Sequence, residues 1–268
     1  MMLDFYIPLE EWINVGFEKI SSAISPILRS ASEILASLID TFENLLLWPP
    51  EIVIMLIISL LVWWASSYRL AIFAFVGLLL TFGMDIWDAT MSTIALALSG
   101  TAFSLIVGIP LGIIASQNNT FERLLRPILD FMQTLPSFVY LIPAVMFFGM
   151  GNVSGLVATM IFAMPPAVRL TTLGIREVSG EMVEAARAFG SGRWQTLKDV
   201  QLPLALPTIM AGVNQCIMMA LSMTVIASMI GAGGLGNIVL RSMQSLNIGL
   251  GVVGGLGIVV LAILLDRM

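Results

Sequence analysis

Residues 153–230 read VSGLVATMIFAMPPAVRLTTLGIREVSGEMVEAARAFGSGRWQTLKDVQLPLALPTIMAGVNQCIMMALSMTVIASMI. Two apolar runs, 153–169 and 203–230, flank an island that holds every charge of the stretch, from Arg169 to Asp199. A charged side chain is costly at the centre of a bilayer, whose core of about 30 Å takes about 20 helical residues to cross. The stretch therefore reads as two membrane helices joined by a charged loop on one side. The whole chain fits that solvent: of its 268 residues 58% are hydrophobic and 11% charged, against about a quarter charged in soluble domains.

Outward from this pair, apolar runs at 50–66, 70–86, 89–116, 135–150 and 247–265 bring the expected spans to seven, and the fold class to an all-α integral membrane protein. The runs at 135–150 and 153–169 are short and carry Pro136 with Pro143 and Pro165 with Pro166. Both must borrow flanking residues or be broken, and the prolines support broken helices beside a pathway, because a freed backbone group in the membrane needs protein or a polar cavity to satisfy it. Ahead of the spans, Trp12, Ile13, Phe17, Ile20 and Ile24 recur at helical spacing against Glu10, Glu11, Glu18 and Lys19. Residues 26–47 are apolar with the same period but interrupted by Arg29, Glu33, Asp40 and Glu43. These read as two amphipathic helices that lie on the membrane or brace the bundle. They divide the chain into an external region, 1–49, and a membrane domain, 50–268. The opening MMLDFYIPLEEW has no basic segment followed by a small-residue cleavage site, so no cleavable leader is expected.

Sidedness follows from the basic residues. With the N-terminus outside, Arg69, Arg123, Arg126, Arg169, Arg176, Arg187, Arg193, Lys198 and Arg267 fall in the cytoplasm, and Lys19, Arg29 and Arg241 do not. Cytoplasmic loops carry the excess of Lys and Arg, so the N-terminus is placed outside and the C-terminus inside. Trp48, Trp63, Trp64, Tyr68 and Trp87 stand at span ends, where amphipathic rings anchor.

Several chemistries are excluded. The chain has no histidine, the commonest general base and metal ligand, and its one cysteine, Cys216, lies in an apolar run. No catalytic residue and no metal site are expected. A net charge of −5 speaks against nucleic acid, which needs a basic face. The stretch GAGGLG, 231–236, follows no strand and precedes no P-loop lysine. It reads either as backbone for a bend beneath a docked partner or as a tight external turn.

The island itself, REVSGEMVEAARAFGSGRWQTLKDVQLP at 176–203, reads as helix, turn, helix. Ser179 can cap the first helix, with Glu181 in its opening turn. Gly190 can take the left-handed conformation that stops it, and Ser191 can cap the second. Ala185 and Ala186 leave a thin surface for close approach beside the charge of Glu184. The spacing Glu-Ala-Ala, three residues, Gly, nine residues, aliphatic, one residue, Leu-Pro is similar to the EAA loop of ABC importer permeases. Glu184, Ala185, Ala186, Gly190, Val200, Leu202 and Pro203 match it. The resemblance implies a type I ABC importer transmembrane domain whose loop helix inserts into a groove of a separate ATPase. ATP and magnesium would then be bound by that ATPase, with no cofactor in this chain. A second copy of the permease and an external substrate-binding protein would complete the complex in a bacterial cell membrane.

From about residue 88 onward the chain resembles one branch, the glycine betaine/proline importers, through 128–151, 161–176 and 210–236. That branch implies uptake of a compatible solute for osmoprotection. A quaternary ammonium is attracted to aromatic faces by about 0.5–2 kcal/mol per ring, which makes Phe138, Tyr140, Phe147 and Phe148 candidates, with packing or lipid contact as the other reading. Gln133, Thr134, Asn214, Gln215, Ser222, Thr224 and Ser228 either line the pathway or serve the helices, Ser and Thr by back-bonding and Asn by joining two of them. The many methionines suit adaptable packing. Permeases for methionine or another amino acid share the loop and GAGGLG. An ion-coupled secondary transporter would need an embedded ionisable group, and every acid here lies at or beyond a span end.

Overall fold

The computed structural model describes residues 8–267. Residues 1–7 and the side chains of Glu10, Ile13, Glu18, Lys19, Ile20 and Ile24 lie outside that description, so their expected amphipathic roles do too. The helices are α1 (Leu9–Leu47), α2 (Glu51–Ala65), α3 (Tyr68–Gly83), α4 (Trp87–Gln117), α5 (Asn119–Thr134), α6 (Leu141–Phe148), α7 (Asn152–Arg176), α8 (Gly180–Ala188), α9 (Arg193–Gln195), α10 (Leu202–Ala227), α11 (Leu235–Ser245) and α12 (Ile248–Asp266). No strand occurs among the described residues.

The two amphipathic helices expected before residue 48 are one. α1 runs through Pro26 without a break, and that proline is exposed. α1 braces the bundle: Ile39 is buried with Leu96, Tyr140, Leu141 and Leu156, and the Phe17 and Phe147 rings lie 4.3 Å apart. The chain then turns by 101° into α2.

Of the seven expected spans, four are single helices long and apolar enough to cross a membrane: α4, α7, the continuous run Arg193–Ile230 that contains α10, and α12. Two bent pairs bring the number to six, one joining the end of α1 to α2 and the other joining α5 to 137–148. α3 is apolar but, at 16 residues, reaches only about 24 Å. The run expected at 135–150 is therefore the short limb of a bent arm. Pro136 stands at its 108° corner, as expected of a breaking proline. Pro165 and Pro166 do the opposite of what their spacing predicts, since α7 continues through both.

α4, α7 and α10 form the centre of the bundle, and small residues let them touch. A Cβ on Gly100 would lie 2.5 Å from Thr159 Cγ2, and one on Gly112 would lie 2.6 Å from Thr171 Cβ and 2.7 Å from the Val168 carbonyl. Gly212 of α10 likewise faces Leu170 and the Pro166 carbonyl. In a membrane such close packing, with hydroxyls bonding across, holds helices together where no hydrophobic drive acts between them. Ser104 of α4 donates to the Met160 carbonyl at 2.9 Å, and Thr172 of α7 to the Gly112 carbonyl at 3.1 Å.

At the end away from the charged island, GAGGLG begins as a turn whose backbone is pinned to α4 and α7. Gly233 N donates to Asn152 Oδ1 at 2.8 Å and Leu235 N to Thr93 Oγ1 at 2.8 Å. Ala232 and Leu235 are fully buried. Gly234, at φ 97°, passes so close to Thr93 that a side chain would not fit. Trp48, Trp63, Trp64 and Tyr68 are exposed as anchors should be, but Trp87 is buried edge-on to Phe82 with centroids 6.3 Å apart. It starts α4 inside the core and is not an anchor.

Candidate coupling surface and pathway

The charged island grows out of the packed ends of α7 and α10. Ile175, Leu197, Ala205 and Ile209 are buried together, so the root of the loop is fixed while its tip stands free. Ser179 caps α8, its Oγ accepting from Met182 N at 3.4 Å, and Glu181 lies in the first turn. Gly190, at φ 89°, ends it, with Gly190 N donating to the Arg187 carbonyl and Ser191 N to that of Ala186. The left-handed conformation comes without a steric penalty only to glycine. The second helix is capped at Gly192, not at Ser191, with Gln195 Oε1 accepting from Gly192 N at 3.0 Å. Thr196–Gln201 then forms a π-helical turn before α10. Pro203 follows and has no N–H for the Asp199 carbonyl one turn back. Such wide turns recur at functional positions in helices.

None of the α8 side chains is buried. Glu184 and Ala185 are exposed, Ala186 and Val200 half-buried, and Gly190 open. Leu202 packs at the root and Pro203 faces outward. The loop thus brings Glu184, Ala185, Ala186 and Gly190 onto one projecting element and leaves Val200, Leu202 and Pro203 at its base. Phe189 is 93% exposed, Trp194 70% and Met182 50%. Apolar side chains so bare on a charged loop mark a contact surface. Sequence reasoning passed over them, although an aromatic next to the helix-stopping glycine was the available signal. Beside them a groove of about 630 Å³ runs between Ile113, Ile114 and Gln117 of α4 and Arg187, Trp194 and Leu197 of the loop.

Two elements were also missed. α5 is amphipathic, with the Asn118 side chain accepting from Thr120 N and Phe121 N, and that cap was legible. α11 starts at Leu235, within GAGGLG, and is closed after Ser245 by Leu246, which takes φ 51°.

The pathway candidates separate into two groups. Gln133, Thr134 and Phe138 are exposed around the corner of the bent arm. Gln215 and Ser222 are exposed seven residues apart on α10, in line with Ala211 and Met229, which makes one stripe along the helix. Tyr140 is instead turned inward against Phe162, and its Oη donates to the Met132 carbonyl across the corner. Thr224 is buried and back-bonds to Ala220, as Ser222 does to Met218 and Ser228 to Val225. Asn214 joins two helices, its Nδ2 donating to Asp266 Oδ1 at 2.9 Å. Phe147 and Phe148 are half-buried at the end of α6. Among the described residues no cluster of three metal-ligating side chains occurs.

The described residues thus form an all-helical bundle with small-residue seams and a rooted loop whose tip is bare. Residues 108–268 match the family described as binding-protein-dependent transport system inner membrane component, and the chain belongs to that family. It is 45% identical to the glycine betaine/proline betaine transport system permease protein ProW of Escherichia coli (strain K12), over 98% of this chain and 74% of that one. It is 45% identical to the glycine betaine transport system permease protein OpuAB of Bacillus subtilis (strain 168), over 98% and 93%. Identity to the glycine betaine/carnitine transport permease protein GbuB of Listeria monocytogenes is 47%, over 98% and 94%. Among solved structures, an inward-facing conformation of the MetNI methionine ABC transporter superposes with a TM-score of 0.63 at 21% identity, over 68% of this chain and 91% of that one. That likeness bears on the fold.

Proposed function

We propose that this chain is the permease subunit of an ATP-driven importer that carries glycine betaine, and with it proline or related quaternary ammonium compounds, into the cytoplasm for osmoprotection. The observation that carries the reading is α8: an exposed helix bearing Glu184, Ala185 and Ala186, stopped by Gly190 and rooted on the ends of two core helices. The substrate class is supported by three relatives at 45–47% identity, all of them betaine permeases by name. The methionine transporter shares the bundle at 21% identity, too little to carry a substrate.

In this reading two copies of the chain form the pathway, and each offers α8 to one ATPase subunit, where ATP and magnesium are bound. An external binding protein delivers the solute to the GAGGLG side. The N-terminus lies outside and the C-terminus inside. Arg126 and Arg176 share Glu122 beside the end of α4, which Arg193 also flanks, and this gathering of basic residues at one end of the bundle supports that sidedness. ATP binding favours the outward-facing state and hydrolysis resets the inward-facing one, as alternating access requires. Phe138, Gln133 and Thr134 on the arm, with Gln215 and Ser222 on α10, face the solute. α1 braces the permease from outside.

Two measurements test this. A tagged chain should co-purify with an ATPase subunit, and a strain lacking it should lose uptake of radiolabelled glycine betaine that excess unlabelled betaine, but not methionine, competes away. Betaine uptake unchanged in the deletion strain, or transport by the purified chain in vesicles without ATPase, would sink the reading.

A further inference from the structure

α5 meets α7 along a seam unlike the others in the bundle. Where α4 faces α7 through glycine and hydroxyl groups, α5 faces it through two ion pairs next to an apolar patch of Leu129, Met164 and Val168. Arg169 reaches Asp130 at 2.5 Å, and Arg176 reaches Glu122 at 2.6 Å. Two turns separate the arginines on α7 and two turns separate the acids on α5, so the pairs lie on facing stripes of antiparallel helices. A groove of about 430 Å³ opens between them.

Arg176 does more than pair. Its guanidinium also donates to the carbonyls of Ala115 at 2.9 Å and Ser116 at 3.3 Å, and to Asn119 Oδ1 at 2.8 Å. Those carbonyls belong to the last turn of α4, whose orphan acceptors carry the negative end of the helix dipole. Asn119 and Glu122 open α5. A guanidinium, with five donors in a rigid fork, can hold all four groups at once. Arg176 is the last residue of α7, and α8 begins at Gly180. One side chain at the root of the docking helix therefore grips the corner from which the bent arm departs.

We propose that Arg176 is a positioning residue for transport: it makes the α4–α5 corner follow the root of α8, so that a displacement of α8 reaches the arm that carries Gln133, Thr134 and Phe138. The assignment rests on the coupling role of α8 proposed above.

The test uses the complete complex, this chain with its ATPase and binding protein, in vesicles, with glycine betaine uptake and ATP hydrolysis measured together. Arg176→Ala removes several charge-assisted hydrogen bonds, so uptake should fall about tenfold while ATP hydrolysis stays within about twofold, with part of the loss recovered in Arg176→Lys. Spin labels at Thr120→Cys and Ala188→Cys give a readout that needs no substrate. With Arg176 in place their separation should be the same in the nucleotide-free and ATP-bound complex, and with Arg176→Ala it should differ between the two. Should Arg176→Ala fail to assemble, Glu122→Gln, which weakens one contact of the four, should lower betaine carried per ATP by about threefold. The proposal is overturned by uptake and hydrolysis falling in parallel, by an unchanged ratio in Glu122→Gln, or by a label separation that shifts with nucleotide in the unsubstituted arginine complex. An unmodified complex that takes up no betaine counts against the proposed function alone, since the label experiment still judges Arg176.

Discussion

Pro165 and Pro166 lie in the middle of an unbroken α7, whereas Pro136 stands at a corner of 108°. The local penalty is the same in both places: a missing donor and a ring pressed on the carbonyl four residues back. The surroundings differ. Pro165 and Pro166 are buried between α4 and α10, and Gly212 lets α10 come against the Pro166 carbonyl. Pro136 and Pro143 are exposed, and the corner is held by little more than Tyr140 and the apolar contacts around it. The result is a three-helix centre of continuous helices beside an arm that bends at Pro136.

The largest effect should come from attacking the three-helix centre. Gly112→Val would drive a side chain into Thr171 and the Val168 carbonyl, both on a neighbouring helix. Overpacking of this kind costs about 1–3 kcal/mol or more, so the variant should lose most of its monodisperse material in detergent, and a wild-type elution profile would refute the seam. Next come Gly190→Val and Glu184→Lys at the free loop. A β-branched residue at φ 89° costs about 1–3 kcal/mol of local strain, confined to a segment with no buried side chain. Both variants should insert normally yet retain less ATPase on co-purification and lose betaine uptake, and unchanged uptake in both would count heavily against the coupling role.

A smaller effect is expected at the arm. Tyr140→Phe removes the bond from Oη to the Met132 carbonyl, worth about 1 kcal/mol. It should reduce uptake without altering yield, and equal losses of both would mean that the arm belongs to the core. The smallest should be Pro165→Ala. Because α7 is already continuous, its thermal midpoint should move by less than the equivalent of about 1 kcal/mol. A shift as large as that of Gly112→Val would show that the proline itself shapes the helix.

The all-helical membrane fold and the loop with its Ser179 cap and Gly190 stop were legible from the chain. Each depends on neighbours a few residues away: a run long enough to cross, or a residue type that suits one backbone conformation. Reading failed where partners came from far along the chain. Trp87 has the position of an interfacial anchor, but its burial is decided by α3 and α12 packing around it with Phe82 and Leu261. Tyr140 and Thr224 carry polar tips that look available in sequence and are spent on backbone carbonyls in the fold. α5 was overlooked because its charges hid the apolar stripe that Leu129 buries.

What the sequence determined alone was the solvent of this protein and the capped, glycine-stopped form of its charged loop, because hydrophobic length, charge placement and capping residues are local properties. Tertiary structure decided which proline bends, which ring is buried and which arginine binds the loop to the arm. Arg176 finds its partners 54 to 61 residues earlier in the chain. Only the packing of α4 against α7, close enough for glycine and nothing larger, brings those groups within reach of one guanidinium.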